Sequence, residues 1–217
     1  WDASHAAGAI EMNFDENGAD LAVGCTYKYG NSGPGSPAWL YVNKRVQKEL
    51  QVPIQGWFAN EDQFGMGPDF VKANGIRGFQ IASPSIIGIR GVQVAFSMIE
   101  EAGIKAIAEK AAIGTQMMID LYDAWLAELG YTLLTSRDPN ERGGHISIGH
   151  PQAAQICVAL RKFVNVIPDY RTPNAIRLAI APLPTSYVEI WDGFERLRDL
   201  TLSRKYEEIK GSDSRVT

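Results

Sequence analysis

Residues 24–30, Gly24-Cys25-Thr26-Tyr27-Lys28-Tyr29-Gly30, follow on a short apolar run, Ala19 to Thr26 (ADLAVGCT), and lead into a turn-forming cluster, Asn31 to Pro37 (NSGPGSP). The apolar run, with Gly18 before it, predicts a buried strand. Ala38 to Val42 (AWLYV) is aromatic and β-branched and predicts a second strand, so the two would flank a loop carrying Lys28. An isolated lysine is ordinarily a solvated surface charge. A lysine at a strand end against apolar walls is different, because desolvation lowers its pKa and leaves a neutral amine able to condense with an aldehyde.

Upstream lies Asp2-Ala3-Ser4-His5, followed by Gly8. Alone, this pattern reads as turn or cap chemistry. Ahead of a strand-end lysine it gains a second reading, since an aspartate can keep a pyridinium nitrogen protonated so that the ring accepts electrons from a substrate's α-carbon. Arg177 falls within Ala175 to Ala181 (AIRLAIA), a predicted strand with apolar neighbours on both sides. A guanidinium buried there requires an anion, supplied by a ligand carboxylate or by an internal Asp or Glu.

Gln51 to Gly78 is rich in Gly, Pro, Asn and Asp, with isolated aromatics such as Trp57, Phe58 and Phe64, and predicts an irregular segment. Composition shifts after Pro84. From Gly91 to Leu129 apolar residues recur at helical spacing, as in Ile113, Met117, Leu121 and Trp125, which predicts two consecutive helices or one long bent one, closed by a cap at Gly130. Strands are expected in Tyr131 to Thr135 and His145 to His150, a helix over Gln152 to Phe163, and a final helix from Ser186 to Tyr206, followed by a polar tail. The order predicts an α/β domain edge followed by a smaller α+β domain, with the boundary between 84 and 92. His145 and His150 read as surface or strand-end residues without a catalytic role.

The totals exclude several classes. At 217 residues with 45% hydrophobic content the chain can bury a real core, and a net charge of −4 with scattered Lys and Arg offers no field for a nucleic-acid backbone. Cys25 and Cys157 have no CxxC-type partners, which argues against a disulfide framework or a zinc site and fits a reducing cytoplasmic compartment. No run of about eighteen apolar residues predicts a membrane span. The chain opens on Trp1 rather than methionine, with candidate chemistry from the second residue, and reads as a truncated start.

Five ordered segments resemble kynureninase: Trp-Asp-x-Ser-His-x-x-Gly-Ala at 1 to 9, Gly-Cys-Thr-Tyr-Lys-Tyr at 24 to 29 with Gly33-Pro34-Gly35, Gly56-Trp57-Phe58, Phe79-Gln-Ile-Ala-Ser83-Pro84, and Arg171-Thr-Pro-Asn174-Ala-Ile-Arg177. The resemblance runs from residue 1 to about residue 185. It implies an α/β, fold type I architecture of the aspartate-aminotransferase kind, present in part: residues 1–88 as the C-terminal part of the large cofactor-binding domain, and 89–217 as the small α+β C-terminal domain. It implies pyridoxal 5'-phosphate as cofactor. Lys28 would be the Schiff-base lysine and proton carrier, Asp2 the pyridinium partner and His5 a neighbour of the ring or of that carboxylate. Tyr27 and Trp57 would hold the phosphate, and Arg177 would clamp the substrate's α-carboxylate. Ser83 departs from family members that carry asparagine near the substrate ring, and a serine gives no support for preferring the 3-hydroxylated substrate.

The implied reaction is hydrolysis of L-kynurenine to anthranilate and L-alanine in tryptophan degradation, by a homodimer with Trp57 and Ser83 near the neighbour's site. The Gly/Ser/Thr-rich turn that usually holds such a cofactor's phosphate at a helix N-terminus is expected in a longer parent, so these residues alone would carry an incomplete site. Two rivals remain. One is a related enzyme of the cysteine desulfurase kind, which usually has histidine where Tyr27 stands and a mobile catalytic cysteine; the other is a non-catalytic fragment in which Lys28 and Arg177 satisfy buried carboxylates.

Overall fold

A computed structural model describes residues 1–210, and the end of the expected polar tail lies outside the described residues. The chain divides into two compact units, Trp1–Ile104 and Lys105–Thr217. The expected limit at residue 88 falls inside a helix that belongs wholly to the first unit.

In the first unit, β1 (Leu21–Gly24) pairs antiparallel with β2 (Trp39–Val42), Leu21 opposite Val42 and Gly24 opposite Trp39. The amino end lies beside β1 as a short parallel partner: the Val23 amide donates to the Trp1 carbonyl at 2.9 Å, and the Ala3 amide donates to the Val23 carbonyl at 2.8 Å. β1 is shorter than expected and is not buried on both faces. Ala22 and Gly24 are covered while Leu21 and Val23 are open, because an apolar run alone does not distinguish a strand covered on one face from one covered on two.

The loop from Cys25 to Ala38 is closed by hydroxyl groups. Thr26 Oγ1 donates to the Pro37 carbonyl at 2.7 Å, Ser36 Oγ donates to the Gly33 carbonyl at 2.7 Å, and Ser32 and Ser36 hydroxyls lie 2.8 Å apart. These bonds satisfy backbone groups that a loop without strands or helices would otherwise leave open. The irregular stretch beyond β2 contains two short 3-10 turns, Trp57–Ala59 and Gly75–Phe79. Lys72 ties it down, its ammonium donating to the Gln47 and Leu50 carbonyls at 2.6 and 2.7 Å and lying over the Phe79 ring. Helix α1 (Ile86–Ala102) starts earlier than the apolar spacing suggested because Ser85 caps it, accepting from the Gly88 amide, and it ends at Gly103.

Helix α2 (Ile104–Leu121), all but its first residue in the second unit, continues through a π turn over Tyr122–Leu126 and a 3-10 turn to Gly130, left-handed at φ 87° as a C-terminal cap requires. Of the expected apolar line, Leu121 is buried and Met117 and Trp125 pack partly covered against the core, whereas Ile113 is exposed; the covered face also takes in Ile107, Ala111, Thr115, Met118 and Ile119. Small residues widen that face because Ile180 and Ile190 pack directly onto Gly114, so counting only large apolar residues misses part of it.

Beyond Gly130 an antiparallel sheet has the order β3 (Thr132–Leu133), β4 (His145–Gly149), β6 (Ala175–Ala179), β5 (Asp169–Arg171). Helix α3 (Ala153–Val164) packs on β5, β6 and α4 (Tyr187–Leu202), and α4 starts with a reciprocal capping box between Ser186 and Glu189. Ile146, Ile148, Ile156, Leu160 and Ile176 are fully covered in the core between these layers. His150 sits at a strand end as expected and is buried there against the Tyr131 ring, its Nδ1 accepting from the Gln152 amide at 3.0 Å.

Candidate active site

Asp2 and Lys28 are carried to one end of β1 by different routes. Asp2 arrives through the bridge to Val23, and Lys28 lies in the loop that begins after Gly24. The two segments touch at Gly8, where an added Cβ would stand 2.8 Å from the Gly30 amide nitrogen and the Tyr29 carbonyl. Gly8 also has φ 82°, so both space and backbone conformation call for glycine there. The glycine of the first motif thus lets the segment bearing Asp2 lie directly on the loop bearing Lys28.

The Asp2 carboxyl is held below the usual carboxylate range, chiefly by hydrogen bonds from the Ser4 side chain and backbone amide, the latter at 2.9 Å, with smaller help from the charges of Lys28 and His5. It is therefore an anion at neutral pH. Lys28 is half-buried and Asp2 is exposed. His5, also exposed, meets the Tyr29 ring edge to face with centroids 6.3 Å apart. Cys25 is half-buried beside this group, its thiol directed to the Ser4 carbonyl at 3.7 Å. Tyr27 lies on the open side of the loop with about half of its surface exposed. An anionic acid and a primary amine arranged in this way can hold a protonated nitrogen at one end of a ligand and a carbonyl carbon at the other.

Trp57 and Ser83 form a second group in the same unit, both exposed. Trp57 packs edge to face on Phe58 and Phe64. Its segment is brought onto the Phe79-to-Pro84 segment at Gly56, where any Cβ would collide with the Ile81 carbonyl. Motifs separated in the sequence are thus packed together by the glycine that precedes the tryptophan.

Arg177 belongs to the second unit. It stands on β6 opposite Asp169 on β5 and Ser147 on β4. Its guanidinium pairs through Nη2 with the Asp169 carboxylate, and the side chains are 22% and 30% exposed, so the arginine has an internal anion and remains partly open. Arg171 holds the same oxygen, Asp169 Oδ2, from the other side through Nη2 at 2.7 Å and Nε at 3.0 Å. Asp169 was not singled out in the sequence. The available signal was the alternation of Asp169 and Arg171 on a short strand opposite Arg177.

Cys157 lies fully buried in α3, and burial pushes its thiol up to about 12. A sulfur so placed is neither a thiolate nor mobile, which removes it as a nucleophile. No group of three or more metal-ligating side chains occurs among the described residues, and no described helix is long and apolar enough to cross a membrane.

Comparison with known proteins gives a consistent result. Residues 107–197 match the family described as "Kynureninase C-terminal domain". The chain is 34% identical over 205 residues to a kynureninase of Pseudomonas fluorescens, covering 94% of this chain and 49% of that protein. It is 36% identical over 200 residues to a kynureninase of Burkholderia mallei (strain SAVP1), covering 92% and 48% respectively. The chain therefore spans about half the length of the curated relatives it matches.

Among solved structures, it resembles an apo cysteine desulfurase from Thermococcus onnurineus NA1, with a TM-score of 0.72 at 19% identity, covering 93% of this chain and 52% of that one. It also resembles a C-DES mutant with glycine covalently linked to its PLP cofactor, with a TM-score of 0.74 at 16% identity, covering 89% and 49%. These likenesses show the fold, which is fold type I over about half of its extent.

Proposed function

The chain belongs to the kynureninase family, and from that premise we propose that it is the C-terminal portion of a pyridoxal 5'-phosphate enzyme that hydrolyses L-kynurenine to anthranilate and L-alanine. The observation that carries the reading is the placement of an anionic Asp2 and a half-buried Lys28 at one end of β1. Their donor chemistry fits the cofactor: a carboxylate kept charged by Ser4 suits a ring nitrogen that must stay protonated, and a primary amine suits an aldehyde. When bound, the cofactor supplies an electron sink for the substrate's α-carbon.

The remaining tasks fall to the chain. Asp2 keeps the ring nitrogen protonated, and His5 flanks it. Lys28 takes the α-proton on Nζ and delivers protons to the carbons that later need them, for which a single amine on a flexible stem is suited. Tyr27 and Trp57 donate to the phosphate, Ser83 lies toward the substrate's aromatic ring, and Arg177 fixes the α-carboxylate. In the overall change, one water adds to the side-chain ketone and the bond between the β- and γ-carbons breaks. The γ-carbon leaves as the carboxylate of anthranilate, and the β-carbon gains a proton to become the methyl group of alanine.

The reaction belongs to tryptophan catabolism by the kynurenine pathway, which feeds NAD biosynthesis, and the parent acts in the cytoplasm as a homodimer. A cysteine desulfurase reading gains no support from Cys157, whose buried thiol is protonated in the working pH range. A non-catalytic reading draws on one observation, the pairing of Arg177 with Asp169. The full-length protein, loaded with the cofactor, is expected to form anthranilate and alanine in equal amounts from L-kynurenine. Absence of anthranilate from a protein that carries the cofactor would reject the reading.

A further inference from the structure

Resting on Arg177 as the carboxylate clamp, we propose that Asp169 is the positioning residue of that clamp, and that Arg171 anchors Asp169 so that it orients Arg177 without neutralising it. The three side chains form one cluster at the β5–β6 pair. Asp169 and Arg177 are directly opposed across the strands, and Arg171 is two residues along β5 on the same side as Asp169. Asp169 Oδ2 accepts from Arg171 through both Nε and Nη2, and from Arg177 through Nη2 alone. Arg177 Nε and Nη1 make no hydrogen bond with any described residue, so the guanidinium is held at one corner and keeps donors for a ligand.

Charge counting points the same way. Two guanidinium groups and one carboxylate leave the cluster with one net positive charge, which a single α-carboxylate would balance. An arginine fully neutralised by its own aspartate would have little left for a second anion, and one with no aspartate would be free to rotate on its stem. Sharing Asp169 between two arginines avoids both. The arrangement is open to a ligand, since Arg177 is 22% and Asp169 30% exposed. In the bound state the ligand carboxylate takes the edge of the Arg177 guanidinium that Asp169 leaves open, using the second Nη2 hydrogen together with Nη1 or Nε, while Asp169 stays on the other Nη2 hydrogen and on Arg171.

The test is calorimetric and needs no turnover. The full-length protein loaded with pyridoxal phosphate is titrated with L-alanine and with ethylamine, which is the same molecule without its carboxylate. Asp169→Asn, which keeps the shape and removes the charge, is expected to weaken L-alanine binding about tenfold and to leave ethylamine binding unchanged. Asp169→Glu is expected to recover most of the loss, and Arg171→Gln to lose about as much as Asp169→Asn. Equal L-alanine affinity in wild type and Asp169→Asn, equal losses for both ligands, or no L-alanine binding by the wild type would each overturn the proposal. Because the readout is binding, a protein that binds L-alanine in this way but forms no anthranilate would refute the proposed reaction and leave the clamp standing.

Discussion

At the scale of single residues, Lys28 and Asp2 act on the cofactor and substrate, whereas Cys157 only packs. Lys28→Ala is expected to lower turnover of the full-length enzyme by about 10³-fold, the size typical of losing a positioned acid–base group, with the protein still folded by circular dichroism. Asp2→Asn is expected to lower turnover as well, because a neutral amide does not hold the ring nitrogen protonated. Cys157→Ala is expected to leave turnover unchanged, and a large loss would return the sulfur to consideration.

His150 makes a prediction about pH. Burial holds its imidazole below the ordinary value of 6.5, so the unfolded chain binds the proton more readily than the folded one. The associated stability is complete above the ordinary value and is lost as pH falls from it through the depressed folded value. Protonation of Nδ1 would also break the bond from the Gln152 amide. Thermal melts between pH 8 and pH 5 are expected to show a steeper loss for wild type than for His150→Phe, and parallel slopes would contradict this. The sequence made Asp2, Lys28 and Arg177 legible because each lies in an ordered motif. Asp169 was hidden because β5 is only three residues long, with Pro168 and Pro173 beside it, and does not reach the length at which alternation can be counted.

At the scale of elements, the helices and strands of the second unit were read closely, since α3, β4, β6 and α4 each carry a full period of apolar residues between recognisable caps. The misreadings share one cause. Periodicity weights large apolar side chains, whereas the covered face of α2 includes alanine, glycine and threonine beside its larger residues, and α1 begins at a serine cap before its first regular apolar spacing. Truncating a core residue tests the packing directly. Ile156→Ala, in α3 and fully covered, is expected to cost ~3 kcal/mol in unfolding free energy measured with denaturant, because the sheet and α4 can fill only part of the space left behind. A cost below ~1 kcal/mol would show that the site collapses or is looser than described.

At the scale of the whole molecule, the two units differ in how they are held. The main apolar cluster lies in the second unit, whereas the covered apolar residues of the first are mostly alanines, and Trp1, Phe64, Met66, Ile86 and Ile87 stand open to solvent. A unit of that kind gains little from burial. Residues 105–217 produced alone are accordingly expected to unfold in one cooperative transition and residues 1–104 alone are not, as read by denaturant titration. The candidate residues follow the same division, with Asp2 and Lys28 in the first unit and Arg177 with Asp169 in the second. The central claim is that Lys28 carries the cofactor. Borohydride reduction of the loaded full-length protein, followed by peptide mapping, is predicted to find the pyridoxyl phosphate group on Lys28. Finding it on another lysine, or on none, would contradict the account.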